Sequence, residues 1–270
     1  KTEPLFLQVG FPGPHPPYDP TPRYAEPYMK KDLPIDPVLD EDLESLPPPL
    51  KEYRKHCTEV DHDSVAHQFD PDDEGRFRQR AYYLANMTMI DDKVGEIMKS
   101  LEEEGYLDNT IVVFTSDHGD CLGDHGLSQK WSSYEQIVRA PTIVWGPGIV
   151  KAGHTVDALC QHFDISHALL ELAGIDVPET FESISALPAL RGEEWAGRDY
   201  VFAEQSGDGN LQEAEMVTMV RSHDWKMTHY SGASHGQLFD MKNDPGEIKN
   251  LWDDSAYASK KQEMHDVLRE

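Results

Sequence analysis

A long amphipathic segment that runs almost directly into a short, wholly apolar one sets the fold class of this chain. Over residues 78–105, Leu84, Met87, Ile90, Val94, Ile97, Met98 and Leu101 recur at intervals of three and four, on one face of a helix. Gly105 is the expected stop. Asp108-Asn109 then turns the chain into TIVVFT at 110–115, apolar and β-branched, the pattern of a strand covered on both faces in a parallel sheet. Helix followed by covered strand is the α/β organisation. Residues 5–9 (LFLQV) and 141–145 read as further buried strands, 163–173 as a helix closed by Gly174, and 200–204 as another strand.

Residues 20–75 break this rhythm. They are rich in Pro and acidic residues, and they read as an irregular excursion carrying short helices. Beyond about residue 214 the pattern changes again. Short strands at 216–221, 225–229 and 237–239, separated by turn residues, predict a small antiparallel sheet, and 255–268 a terminal helix. The expected division is therefore a core unit over 1–213 and a small α+β unit over 214–270.

Composition excludes several classes. With 24 Lys and Arg against 50 Asp and Glu, the 270 residues carry a formal charge of −26, a field that repels phosphate backbones. Nucleic acid is not an expected partner. The same field repels any anionic substrate, which then needs a local cationic site. No apolar run reaches the roughly 18 residues of a membrane span. Cys57, Cys121 and Cys160 have no paired spacing, so neither a disulfide framework nor a zinc ribbon is expected. No basic-then-apolar leader opens the chain.

The densest chemistry is Ser116-Asp117-His118-Gly119-Asp120, directly after the apolar strand. Ligands of open α/β sheets bind outside the carboxyl ends of strands. A carboxylate and an imidazole at such an edge suit a divalent metal or an anion site; the same residues also serve as a polar turn with a helix cap. Downstream lie Gly123-Asp124-His125-Gly126 and Lys130-Trp131. Lys130 either packs on its neighbour at the surface or holds an anion as a point charge. His15, between Pro14 and Pro16, is either a satisfied loop histidine or a preorganised donor to an oxyanion.

The stretch 109–148 (NTIVVFTSDHGDCLGDHGLSQKWSSYEQIVRAPTIVWGPG) and the loop 11–18 (FPGPHPPY) closely resemble the sulfatases of the alkaline-phosphatase superfamily. So do the segment 163–174 and the ending Leu238-Phe239-Asp240…Asn243-Asp244-Pro245…Asn250-Leu251. The resemblance covers nearly all of the chain outside 25–75. It implies an α/β fold, a sulfatase-like mixed sheet flanked by helices and incomplete here, with a small C-terminal antiparallel sheet and helix. It implies Asp117 and His118 as metal ligands, calcium in most members and another divalent ion in some. It implies Lys130 and His15 as the catalytic sulfate contacts, with His125 also at the substrate. The substrate would be a small-molecule or carbohydrate sulfate ester. A periplasmic, secreted or lysosomal location is consistent with the resemblance.

The departures from the family pattern define a second expectation. The family nucleophile is a formylglycine made from the Cys or Ser of a C/S-x-P-x-R motif, and none of the three cysteines has that context. The family places that motif, its arginine and a first pair of metal-binding aspartates ahead of the strand that opens this chain. The expectation is a C-terminal portion of a sulfatase whose N-terminal part is missing or on a separate chain, inactive alone. A phosphonate monoester or phosphodiester hydrolase, and a non-catalytic sulfatase-like protein, are the alternatives. Glu182-Ser183-Ile184-Ser185 also departs from the family's usual G-x-S-L. The sequon Asn86-Met87-Thr88 lies on the amphipathic helix and reads as chance. Cys121 reads as a small packed thiol.

Overall fold

The long helix begins where Asp72 caps it, its side chain accepting from the Gly75 amide at 2.8 Å, and ends before Gly105, whose φ of 68° ends the helical backbone. The structure is a computed structural model that describes residues 4–59, 72–206, 211 and 214–269. In chain order it contains α1 (Pro22–Met29), α2 (Asp40–Ser45), α3 (Pro48–Glu59), α4 (Asp73–Glu103), β1 (Val112–Thr115), α5 (Glu135–Val138) and β2 (Thr142–Trp145). These are followed by α6 (His162–Leu172), α7 (Leu187–Leu190), β3 (Val201–Ser206), β4 (Met216–Arg221), β5 (Trp225–Tyr230), β6 (Gly236–Asp240) and α8 (Ala258–Val267). Among the described residues no helix is long and apolar enough to cross a membrane.

The mixed α/β class is observed, and among the described residues the strand in TIVVFT has an antiparallel partner and no parallel one. β1 pairs antiparallel with β2, Val112 opposite Trp145 and Thr115 opposite Thr142. β1 is half-buried over Val112–Phe114, while in β2 Ile143 is 61% and Trp145 38% exposed. An all-apolar run signals that a strand seeks cover and does not name what supplies it. Residues 5–9 likewise form no strand. A strand exists through its ladder partner, and among the described residues this segment has none. Phe6 stands 92% exposed.

The second sheet is antiparallel in the order β3-β4-β5-β6. Its first strand comes from before residue 213, with Phe202 opposite Val220, so the ladder runs across the expected 213/214 division. One apolar cluster joins this sheet to the excursion: Leu46, Leu50 and Tyr53 of 20–59 pack with Tyr134, Ile137, Val217, Tyr230 and Phe239. The described part of the excursion, 20–59, therefore carries helices that contribute core, with Leu50 and Tyr53 fully buried. A second cluster, Val220, Met227, Leu238, Leu251, Trp252 and Met264, seats α8 on the sheet. Asn250 stitches this corner. Its Oδ1 accepts from the Leu238 and Trp252 amides at 3.1 and 3.0 Å, and its Nδ2 donates to the Gly236 carbonyl at 3.0 Å.

Candidate active site

The chain leaves β1 at Thr115 and enters the polar loop that holds most of the candidate site residues. Asp117 projects into solvent, and its Oδ1 accepts from the His118 amide at 3.0 Å. The Nδ1 of His118 lies 2.7 Å from the Gly119 carbonyl, which can accept only, so Nδ1 carries the proton. The other ring nitrogen, Nε2, lies 3.5 Å from Asp117 Oδ2. Gly119 is required by space, because a Cβ there would overlap the Gln136 carbonyl. Asp120 points inward. It accepts from Tyr18 Oη at 2.6 Å and from the Leu122 and Gln129 amides at 2.9 and 3.0 Å.

Lys130 follows directly. It is half-buried, its ammonium 5.9 Å from the centre of the Trp131 ring. Among the described residues no carboxylate pairs with it. Asp117, His118 and Lys130 line one groove of about 1450 Å³, bounded by β2, β3 and the start of α6 and also lined by Arg139, His154 and His223.

His15 and His125 lie elsewhere. His15 is exposed, with Nδ1 2.6 Å from the Pro16 carbonyl and therefore protonated there; it is not among the residues lining the groove. Its loop is nonetheless tied to the Asp117 loop through Tyr18 and Asp120. His125 meets protein on every side. Its side chain is 2% exposed, Nδ1 sits 3.0 and 3.1 Å from the Asp42 oxygens, and the ring stacks on Tyr134 at 3.7 Å. A ring so enclosed presents no atom to a substrate.

A family model described as Sulfatase matches residues 1–175, and one described as N-sulphoglucosamine sulphohydrolase, C-terminal, matches 123–270. The chain belongs to the sulfatase family. Curated relatives include an N-acetylglucosamine-6-O-sulfatase of Bacteroides thetaiotaomicron, 33% identical over 70% of this chain and 34% of its own length. A choline-sulfatase of Rhizobium meliloti is 32% identical over 92% of this chain and 46% of its own. The sulfatase chain thus spans about half the length, or less, of the curated relatives it matches. A solved structure of a protein with its substrate D-glucosamine-2-N,6-O-disulfate superposes with a TM-score of 0.80 at 24% identity, over 95% of this chain and 63% of that one. The phosphonate monoester hydrolase of Silicibacter pomeroyi superposes with a TM-score of 0.78 at 26% identity, covering 90% and 50%.

A divalent metal is a family property, and the Asp117–His118 pair fits part of such a site. The two side chains converge, a carboxylate oxygen beside His118 Nε2, and the proton on His118 Nδ1 is fixed by a carbonyl, as in ligating histidines. Calcium takes about six to eight oxygen ligands, so this pair is a fraction of a sphere. Among the described residues no group of three or more His, Cys, Asp or Glu converges on one point.

Several groups that hold the candidate site in shape are not marked by any short sequence motif. Tyr18 and Asp120 were legible as P-P-Y and D-H-G-D, though not as partners. Glu247 follows the turn 243–246, takes a φ of 56°, and is buried with its Oε1 2.5 Å from Lys226 Nζ. Its other oxygen accepts from the Glu135 amide at 2.7 Å, and Glu135 binds Arg221 at 3.0 Å and Lys226 at 3.3 Å. Burial raises the Glu247 carboxyl above its ordinary range, with Lys226 opposing. At Glu135 burial also acts upward, but Lys226 and Arg221 together outweigh it and hold that carboxyl low.

Proposed function

We propose that this chain is the anion- and metal-binding half of a sulfuric-ester hydrolase. The observation that carries the reading is Lys130: in a chain of net charge −26, an ammonium without a carboxylate partner among the described residues lines the same groove as Asp117 and His118. A cation left unneutralised in so acidic a molecule suits an incoming anion. Lys130 binds a sulfuryl oxygen and offsets the charge that grows as the ester bond breaks. His15 lies outside the lining of that groove, on the neighbouring loop that Tyr18 ties to Asp120, and is the second contact once that loop closes over the bound ester. Asp117 and His118 contribute one carboxylate oxygen and one nitrogen to a divalent cation, which when bound neutralises negative charge on the sulfuryl group. The nucleophile comes from a segment outside these 270 residues. A groove of about 1450 Å³ has room for a sugar, and a sulfated carbohydrate fits the named relatives.

A phosphonate or phosphodiester substrate is the second reading, favoured by the fold shared with phosphonate monoester hydrolases. The full-length protein containing this chain, assayed on 4-nitrophenyl sulfate and on a 4-nitrophenyl phosphonate monoester, separates the two by kcat/KM. Preference for the sulfate and no turnover by the 270-residue chain alone are expected. Preference for the phosphonate transfers the site to the second reading, and turnover by the chain alone places the nucleophile within it.

A further inference from the structure

We infer that the buried Asp42–His125 pair is the positioning device for Lys130. The inference rests on the reading of Lys130 as the anion-binding group. His125 sits at the tip of a tight loop whose foot is Lys130. The loop closes on itself through Gly123 N to Leu127 O at 2.9 Å and Cys121 N to Gln129 O at 3.1 Å. Asp120 then takes the Gln129 amide at 3.0 Å, one residue before Lys130.

This loop is not at its own conformational minimum. Leu122, His125 and Gln129 all take positive φ, at 49°, 57° and 59°. Non-glycine residues hold such backbone only where surrounding structure over-determines it. The excursion helices α2 and α3, with α4, supply that structure. Asp42 of α2 receives His125 Nδ1; Arg54 of α3 donates to the Gly126 carbonyl at 3.1 Å; Tyr53 of α3 donates to the Ser128 carbonyl at 2.8 Å; Arg80 of α4 pairs with Asp124.

Within this clamp the imidazole is the member held by a polar partner at each ring nitrogen. Gln136 Nε2 lies 3.3 Å from His125 Nε2, while Nδ1 lies 3.0 Å from Asp42, whose carboxylate can only accept, so Nδ1 donates to Asp42. The ring is locked in the third direction by its stack on Tyr134, whose hydroxyl accepts from Gln237 Nε2 at 2.9 Å. Asp42 and His125 therefore join three bodies, the excursion, the loop and the C-terminal sheet, at a point five residues from Lys130. Releasing the pair frees the loop tip, and the foot that aims the ammonium moves with it.

The test is a double-mutant cycle in the full-length protein containing this chain, with 4-nitrophenyl sulfate as substrate. The variants are His125→Ala, His125→Asn, Asp42→Asn and Lys130→Ala, with the doubles, and thermal melts to establish folding. His125→Ala and Asp42→Asn should lower kcat on the order of ten- to a hundredfold, with KM changed less than about threefold. His125→Asn, which keeps an N–H for Asp42 and tolerates positive φ, should recover most of that loss. In the Lys130→Ala background the same substitutions should cost less than about twofold, because their effect runs through a side chain already removed. Asp42→Asn serves the same purpose if His125→Ala does not fold. Equal losses in both backgrounds, with Lys130→Ala itself impaired, overturn the positioning role and leave the anion site standing. A fully active Lys130→Ala overturns both.

Discussion

The hydroxyl of Tyr18 donates to Asp120 at 2.6 Å, across 102 positions of sequence, and by that bond the loop carrying His15 is held against the loop carrying Asp117. Tyr18 is buried, and burial followed by the Asp120 charge pushes its phenol far above the ordinary range, so it stays a donor at any working pH. Tyr18→Phe removes the donor and leaves Asp120 with two backbone amides. The expected cost is about 1–3 kcal/mol in chemical denaturation. A loss below about 0.5 kcal/mol would mean that the tie is incidental.

Lys226 and Glu247 are each 1% exposed, and neither charge has water to fall back on. Lys226→Met strands the Glu247 carboxylate and removes one of the two cations at Glu135. Destabilisation of about 3–5 kcal/mol is expected from breaking a buried pair by one partner. A urea melt within about 1 kcal/mol of the parent contradicts that.

Acid sensitivity has an identified source at α6. Asp164 is fully buried and accepts from the Gln161 and Ile184 amides at 2.8 and 3.0 Å and from Arg198 at 2.7 and 2.6 Å. Burial alone raises its carboxyl; Arg198 and the two amides outweigh burial and hold it below its usual value of 3.8. The native pKa lies below the unfolded one, so the stabilisation is fully present above that value and is lost as pH falls through the native pKa. Asp164→Asn should cost about 1.5–3 kcal/mol between roughly pH 5 and 7, and the gap to the parent should close below about pH 4. A gap independent of pH down to about pH 3 contradicts the assignment.

Much of the fold was readable because it is written in local periodicity. The three- and four-residue spacing along α4 and the turn residues that separate β4, β5 and β6 needed no distant information. Residues 5–9 and β1 were readable as apolar but not as to partner, since ladder pairing is a long-range property. At the site, Asp117, His118 and Lys130 were visible as chemistry beside a strand end. His125 shares that neighbourhood in sequence, yet its φ of 57° turns it inward onto Asp42, a residue that looks like any other member of the D-E-D run at 40–42. Which polar residue faces a groove and which faces an acid 83 positions away is decided by packing that no short window contains.

The central claim is that the groove holding Asp117, His118 and Lys130 receives a sulfate ester. The most direct measurement is a crystal structure of the full-length protein with an unreactive sulfate-ester analogue. The account predicts a sulfuryl oxygen at about 2.7–3.2 Å from Lys130 Nζ, with His15 on the same group and a divalent cation ligated by Asp117 and His118. An ester bound elsewhere, with Lys130 facing solvent and no metal at Asp117, would contradict it.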